Sequence, residues 1–238
     1  MMASLLGPVL LALLGDALAA VVNWAADVLP PGDLTPDPSP ERRGEADPAP
    51  PSFSAKGAGI LGSPGALRAD RRLLVVAVGL VGGALAGHYL GPTWTAVWLV
   101  GWGALLLLVA VIDFEHRLVL NRVLLAAGAV ALAASALGVP QAAPLRQAVL
   151  GGALGFVGFL AIAALGRGAM GAGDVKLAGF IGLLVGYPAV LNALFAGIVF
   201  GGLAALAAIL MGRGRKSTIP YAPWLALGAM VALVQMAG

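Results

Sequence analysis

The chain has 238 residues, of which 60% are hydrophobic and only 11% charged, and its mean hydropathy is +0.96. A soluble domain carries about 25% charged residues, so this composition excludes a water-covered globule and points to an all-α, polytopic membrane bundle. Cysteine is absent, which excludes disulfides, thiolate catalysis and cysteine zinc sites.

The apolar residues fall into eight runs, most of them near the roughly 20 residues that a membrane helix needs. The first covers residues 5–22. It has neither a basic stretch before it nor a small-residue cleavage site after it, so it reads as a retained span in an N-terminal unit 1–29. Residues 30–72 change character, opening PPGDLTPDPSPERRGEADPAPP and holding nine of the sixteen prolines. Such a stretch cannot bury enough apolar surface to fold, and a disordered or extended cytoplasmic linker is expected. The remaining runs, 73–90, 95–112, 123–137, 149–165, 177–185, 189–211 and 220–236, form one membrane-embedded unit over 73–238. The fourth and sixth runs are short, as tilted, kinked or partly inserted helices would be.

Charge sets the orientation. If eight spans alternate, thirteen of the fourteen lysines and arginines fall on one side: six in the linker, then Arg117, Arg122, Arg167, Lys176, Arg213, Arg215 and Lys216. Arg146 alone faces the other. The positive-inside rule places the basic side in the cytoplasm and both termini outside. Topology thus accounts for a pI near 9.7 without a nucleic-acid partner.

Acids are scarce. Eight of the eleven lie at or before Asp70, and Asp16 within the first run is a charge with no assigned role. Only Asp113, Glu115 and Asp174 follow the linker. Ionisable groups at membrane depth are expensive and usually functional. Asp113 and Asp174 both sit where a run meets the basic side, so 61 positions of sequence separate two carboxylates that share one membrane level. Two close carboxylates in a poorly hydrated site hold one proton between them. The ionised member can deprotonate a water attacking a peptide carbonyl while the other polarises the carbonyl and protonates the leaving nitrogen. An acid at a helix end beside Arg117 or Lys176 also suits a plain interfacial anchor.

Local sequence refines the choice. In V-I-D-F-E-H-R, a continuing helix puts His116 and Arg117 on the face of Asp113 and turns Glu115 away, which favours Asp113 for the pair. His116 reads as an interfacial residue and His88 as structural. In M-G-A-G-D-V-K, Gly171 and Gly173 supply backbone freedom and let another chain approach Asp174. Lys176 suits a snorkelling anchor.

Together these blocks resemble the type IV prepilin peptidase family of Gly-x-Gly-Asp intramembrane aspartic proteases. The likeness rests on V-I-D-F-E-H-R-L-V-L-N, on G-A-G-D-V-K-L at 171–177, and on I-P-Y-A-P-W-L-A-L-G at 219–228. Leu120 stands where the family tends to have proline before Asn121. The resemblance implies that Asp113 and Asp174 are catalytic, with Gly171, Gly173, Lys176 and Asn121 binding substrate or shaping the loop. It also implies a substrate that is the leader of a prepilin or pseudopilin in the cell membrane, cut after a glycine ahead of a hydrophobic helix. No cofactor is implied for proteolysis. S-adenosylmethionine, the methyl donor of bifunctional members, is left open. The family's zinc-binding cysteine pairs are missing here, so zinc is not expected. A proton- or cation-coupled transporter and a non-catalytic pilus or secretion scaffold remain as alternatives.

Overall fold

The computed structural model describes residues 2–29, 64–166, 170–211 and 220–237. They form eight helices and, among the described residues, no strand: α1 Met2–Val28, α2 Pro64–Leu90, α3 Trp94–His116, α4 Asn121–Ala136, α5 Leu145–Leu165, α6 Ala172–Val185, α7 Ala189–Leu210 and α8 Ala222–Ala237. Every apolar run has become a helix. Five are long and apolar enough to cross a membrane: Leu6–Val28, Asp70–Leu90, Trp94–His116, Leu145–Leu165 and Ala189–Leu210. The runs expected to be short are so. At 1.5 Å per residue, the 14 residues of α6 reach only about 21 Å.

One boundary differs from the sequence expectation. Helix α2 begins at Pro64, so residues 64–72 are helical rather than part of a linker. Proline is tolerated in a first helical turn because its missing N–H is one that the turn leaves unpaired. The segment 30–63 and the basic residues Arg167, Arg213, Arg215 and Lys216 lie outside the described residues.

Helix α6 is the hub. Val175 and nearly every residue from Leu177 to Val185 are buried, with α4, α5, α7 and α8 packed around it. A short helix sheathed in protein can cross without a full-length apolar run, because other helices rather than lipid surround its body. Three glycine seams draw the helices together. A Cβ on Gly182 of α6 would collide with the Gly151 carbonyl of α5, one on Gly79 of α2 would meet the Gly15 carbonyl of α1, and one on Gly228 of α8 would meet the Ala193 carbonyl of α7. In lipid, where apolar side chains gain little by leaving their solvent, such close backbone packing is a main source of helix association.

Candidate active site

Helix α3 carries Asp113 almost to its end. Arg117 stops the helix by adopting a left-handed conformation (φ 54°, ψ 38°) and donates its N–H to the Asp113 carbonyl, at 2.8 Å. The helix therefore ends at His116 and does not continue through Arg117, a correction to the sequence expectation. The side chain of Asp113 turns into the bundle, where the residue is 6% exposed. Its Oδ2 accepts the Ala222 N–H at 3.2 Å. The donor is one of the free amides that every helix leaves at its N-terminus. Pro220 and Pro223 bracket it, and the Tyr221 carbonyl receives the N–H groups of Trp224 and Leu225 as α8 starts.

Asp174 lies in the first turn of α6, ahead of the apolar stretch that begins at Leu177. It is half-buried. Burial first, and then the charge of Asp113, push its carboxyl up to about 6, against a smaller opposing hydrogen bond from the Gly171 backbone. The Tyr221 phenol is raised too, by burial and then by the charge of Asp174. The ends of α3 and α6 and the strap entering α8 thus converge, so that Asp174 feels Asp113 and Tyr221 feels Asp174.

The two glycines act differently from the sequence expectation. Gly171 caps α6 at φ −72°, ψ 149°, ordinary extended backbone that any residue can adopt. A Cβ there would make only ordinary van der Waals contacts, with Asp174 Oδ2 at 3.6 Å and Gly173 N at 3.9 Å. Gly173 is helical, and its Cβ would lie 3.0 Å from Val119 Cβ and Cγ2. Close approach of the 117–120 turn, not conformational freedom, is what the motif provides. Lys176 and Asn121 are brought together, Nζ donating to Oδ1 at 2.9 Å, which ties the start of α4 to the first turns of α6.

Glu115 does turn away from Asp113, as expected, and it has a partner there. Arg71 of α2 donates one nitrogen to Glu115 Oε2 at 2.7 Å and the other to Asp27 Oδ1 of α1 at 2.6 Å. Arg72 adds a bond to Asp27 Oδ2 at 2.8 Å. The Arg71 side chain is only 9% exposed. This fork clamps three helix ends behind the acid site. His116 Nε2 stands 3.9 Å from Glu115 Oε2, at the exposed edge.

Sequence reasoning missed Ala222 N–H, Tyr221, Val119 and Arg71. The proline-bracketed block at 219–223 was the available signal for the first two, since a helix start offers unpaired amides.

Residues 100–206, which contain both aspartates, match the Type IV leader peptidase family. The "Prepilin leader peptidase/N-methyltransferase" of Bacillus subtilis (strain 168) is 34% identical over 130 residues, covering 54% of this chain and 52% of that protein. The match thus spans about half the length of the curated relative. No solved structure matches.

Proposed function

We propose, for a chain whose residues 100–206 match the type IV leader peptidase family, that it is a membrane aspartic endopeptidase. It removes the leader of a type IV prepilin or pseudopilin at the cytoplasmic face of the cell membrane. The observation that carries this reading is the convergence of two acids from distant helices at one buried site, close enough for Asp113 to raise Asp174.

The chemistry follows from that pairing. Asp174, held near 6, keeps the shared proton more readily than an ordinary aspartate. Asp113, fixed through Oδ2 by the Ala222 amide, takes a proton from water as the water oxygen bonds to the scissile carbonyl carbon. Asp174 gives its proton to the carbonyl oxygen, producing a neutral gem-diol. Collapse of the diol breaks the C–N bond, with the nitrogen taking the proton from Asp113 and the second hydroxyl proton returning to Asp174. Neither aspartate is consumed, and apparent pKa values in a rate profile belong to the pair. The cytoplasmic placement is supported by the thirteen-to-one division of basic residues.

The relative's name includes N-methyltransferase. The methyl donor S-adenosylmethionine would need polar partners for its ribose and a carboxylate near its sulfonium. A cavity of about 940 Å³ is walled mainly by glycine, alanine and leucine, with Arg117 its charged member. That lining does not fit the donor, and the reaction derived above is the cleavage alone.

The test is leader removal from a purified prepilin by wild type, Asp113→Asn and Asp174→Asn, read on a gel. Each variant inserts into membranes and leaves the leader in place. Near wild-type processing by either one removes the proposal, and a scaffold or transporter would then be the better reading.

A further inference from the structure

A cavity of about 940 Å³ opens along the bundle beside the acid site. One face of α3 forms its floor, with Val100, Gly103, Leu107, Ala110 and Phe114 recurring at helical spacing. Helices α1 and α2 make one wall, and α7 and α8 make the other. From Val100 to Phe114 the floor runs about 21 Å at 1.5 Å per residue, a large part of the hydrocarbon thickness.

Its head coincides with the site. Phe114, 72% exposed, directly follows Asp113. Pro220, Pro223 and Trp224 line the cavity and flank Ala222, whose amide holds Asp113. The same two segments therefore build both the groove and the acid pair. The Trp224 indole N–H is buried without an acceptor among the described residues, and so offers one polar contact within apolar walls.

We infer that this groove seats an apolar helical segment of the protein substrate, delivering the bond beyond the helix end to Asp113 and Asp174. The inference rests on the peptidase reading and adds where the substrate binds. A peptide lying in a groove open to lipid must satisfy its own backbone, so it is helical there. Beyond Phe114 the groove meets the basic side, where an occupant can leave the helical conformation and present an extended carbonyl to the acids. Gly82, where a Cβ would meet nothing within 4 Å, and the small side chains of Ala104, Ala110, Ala204 and Ala208 leave room for a second backbone. A lipid chain would fill the same volume but has no amide bond to offer at the groove's head.

The chain's lack of cysteine gives a clean test. A Cβ on Gly82 of α2, which lines the groove, meets nothing within 4 Å, and neither does one on Gly158 of α5, outside the groove. Gly82→Cys and Gly158→Cys are each made in the Asp174→Asn background and mixed with a prepilin carrying single cysteines along its apolar segment. Gly82→Cys forms disulfides at positions repeating about every three to four residues, and Gly158→Cys forms none. With the acids intact, Gly82→Trp raises KM at least about tenfold while the protein still inserts. Absent or equal cross-linking at the two positions, or an unchanged KM for Gly82→Trp, overturns the groove. Groove cross-linking with a wild type that never cuts the leader would instead sink the peptidase reading and leave the groove standing.

Discussion

Replacing Asp174 with asparagine should stabilise the protein while abolishing its chemistry. The fold holds this carboxyl at about 6 against an ordinary 3.8, so between those values the folded chain binds more protons at this position than the unfolded one. Stability therefore falls as pH rises through that interval, and above it the folded protein carries the full penalty of a buried charge. The displacement is worth up to about 3 kcal/mol. Because Asp174 is only half-buried, solvent screening reduces this to about 1 to 2 kcal/mol. Asparagine has nearly the same shape and no charge. In detergent micelles at pH 8, Asp174→Asn should melt about 2 to 8 °C above wild type, taking about 2 to 4 °C per kcal/mol for a chain of this size. The gap should close as the pH is lowered towards 4, where wild type regains its proton. Comparing the two proteins at each pH cancels the titrating groups that do not interact with Asp174, leaving those of the site itself. A variant that melts below wild type at pH 8, or a gap that is independent of pH, would refute the electrostatic account of the site.

Substitutions at four further positions follow from the packing and the ion pairs. Gly171→Ala should retain most leader cleavage, whereas Gly173→Ala, pressing on Val119 at 3.0 Å, should cost about 1 to 3 kcal/mol of stability and reduce turnover more than binding. Steady-state kinetics and melting of the two variants side by side check this. Gly182→Ala drives a methyl into the Gly151 carbonyl and should destabilise the α5–α6 pair by more than Gly173→Ala destabilises its site, as read by melting or protease sensitivity in micelles. Arg71→Ala strips partners from Asp27 and Glu115 at once and should lower stability by about 1 to 3 kcal/mol. Arg71→Lys should recover only part of this, since an ammonium cannot hold both carboxylates in a fork.

Length and polarity made the helices legible, because eight apolar runs leave a membrane chain few choices. The scarcity of acids past residue 70 made Asp113 and Asp174 stand out before any geometry was known. The start of α2 was harder to see, since Pro64 follows a proline-rich stretch and the helix carries Arg68, Asp70, Arg71 and Arg72 before its apolar part. Those charges look like linker in sequence, yet Arg71 is held at the bundle end by partners 44 positions away on either side. The Ala222 amide was invisible for another reason: a backbone donor has no residue type to betray it, and only the arrival of α8 beside Asp113 gives it a role. For Gly173 the sequence suggested a flexible backbone, but the constraint comes from Val119, a neighbour that only tertiary packing supplies.

The most direct measurement places thiols at the two acid positions, Asp113→Cys with Asp174→Cys, in a chain that has no other cysteine. The account predicts that a short bifunctional thiol reagent bridges them within one molecule, and that a membrane-impermeant label reaches both single variants from the same side. Thiols that never bridge, or that label from opposite faces of the membrane, would contradict it.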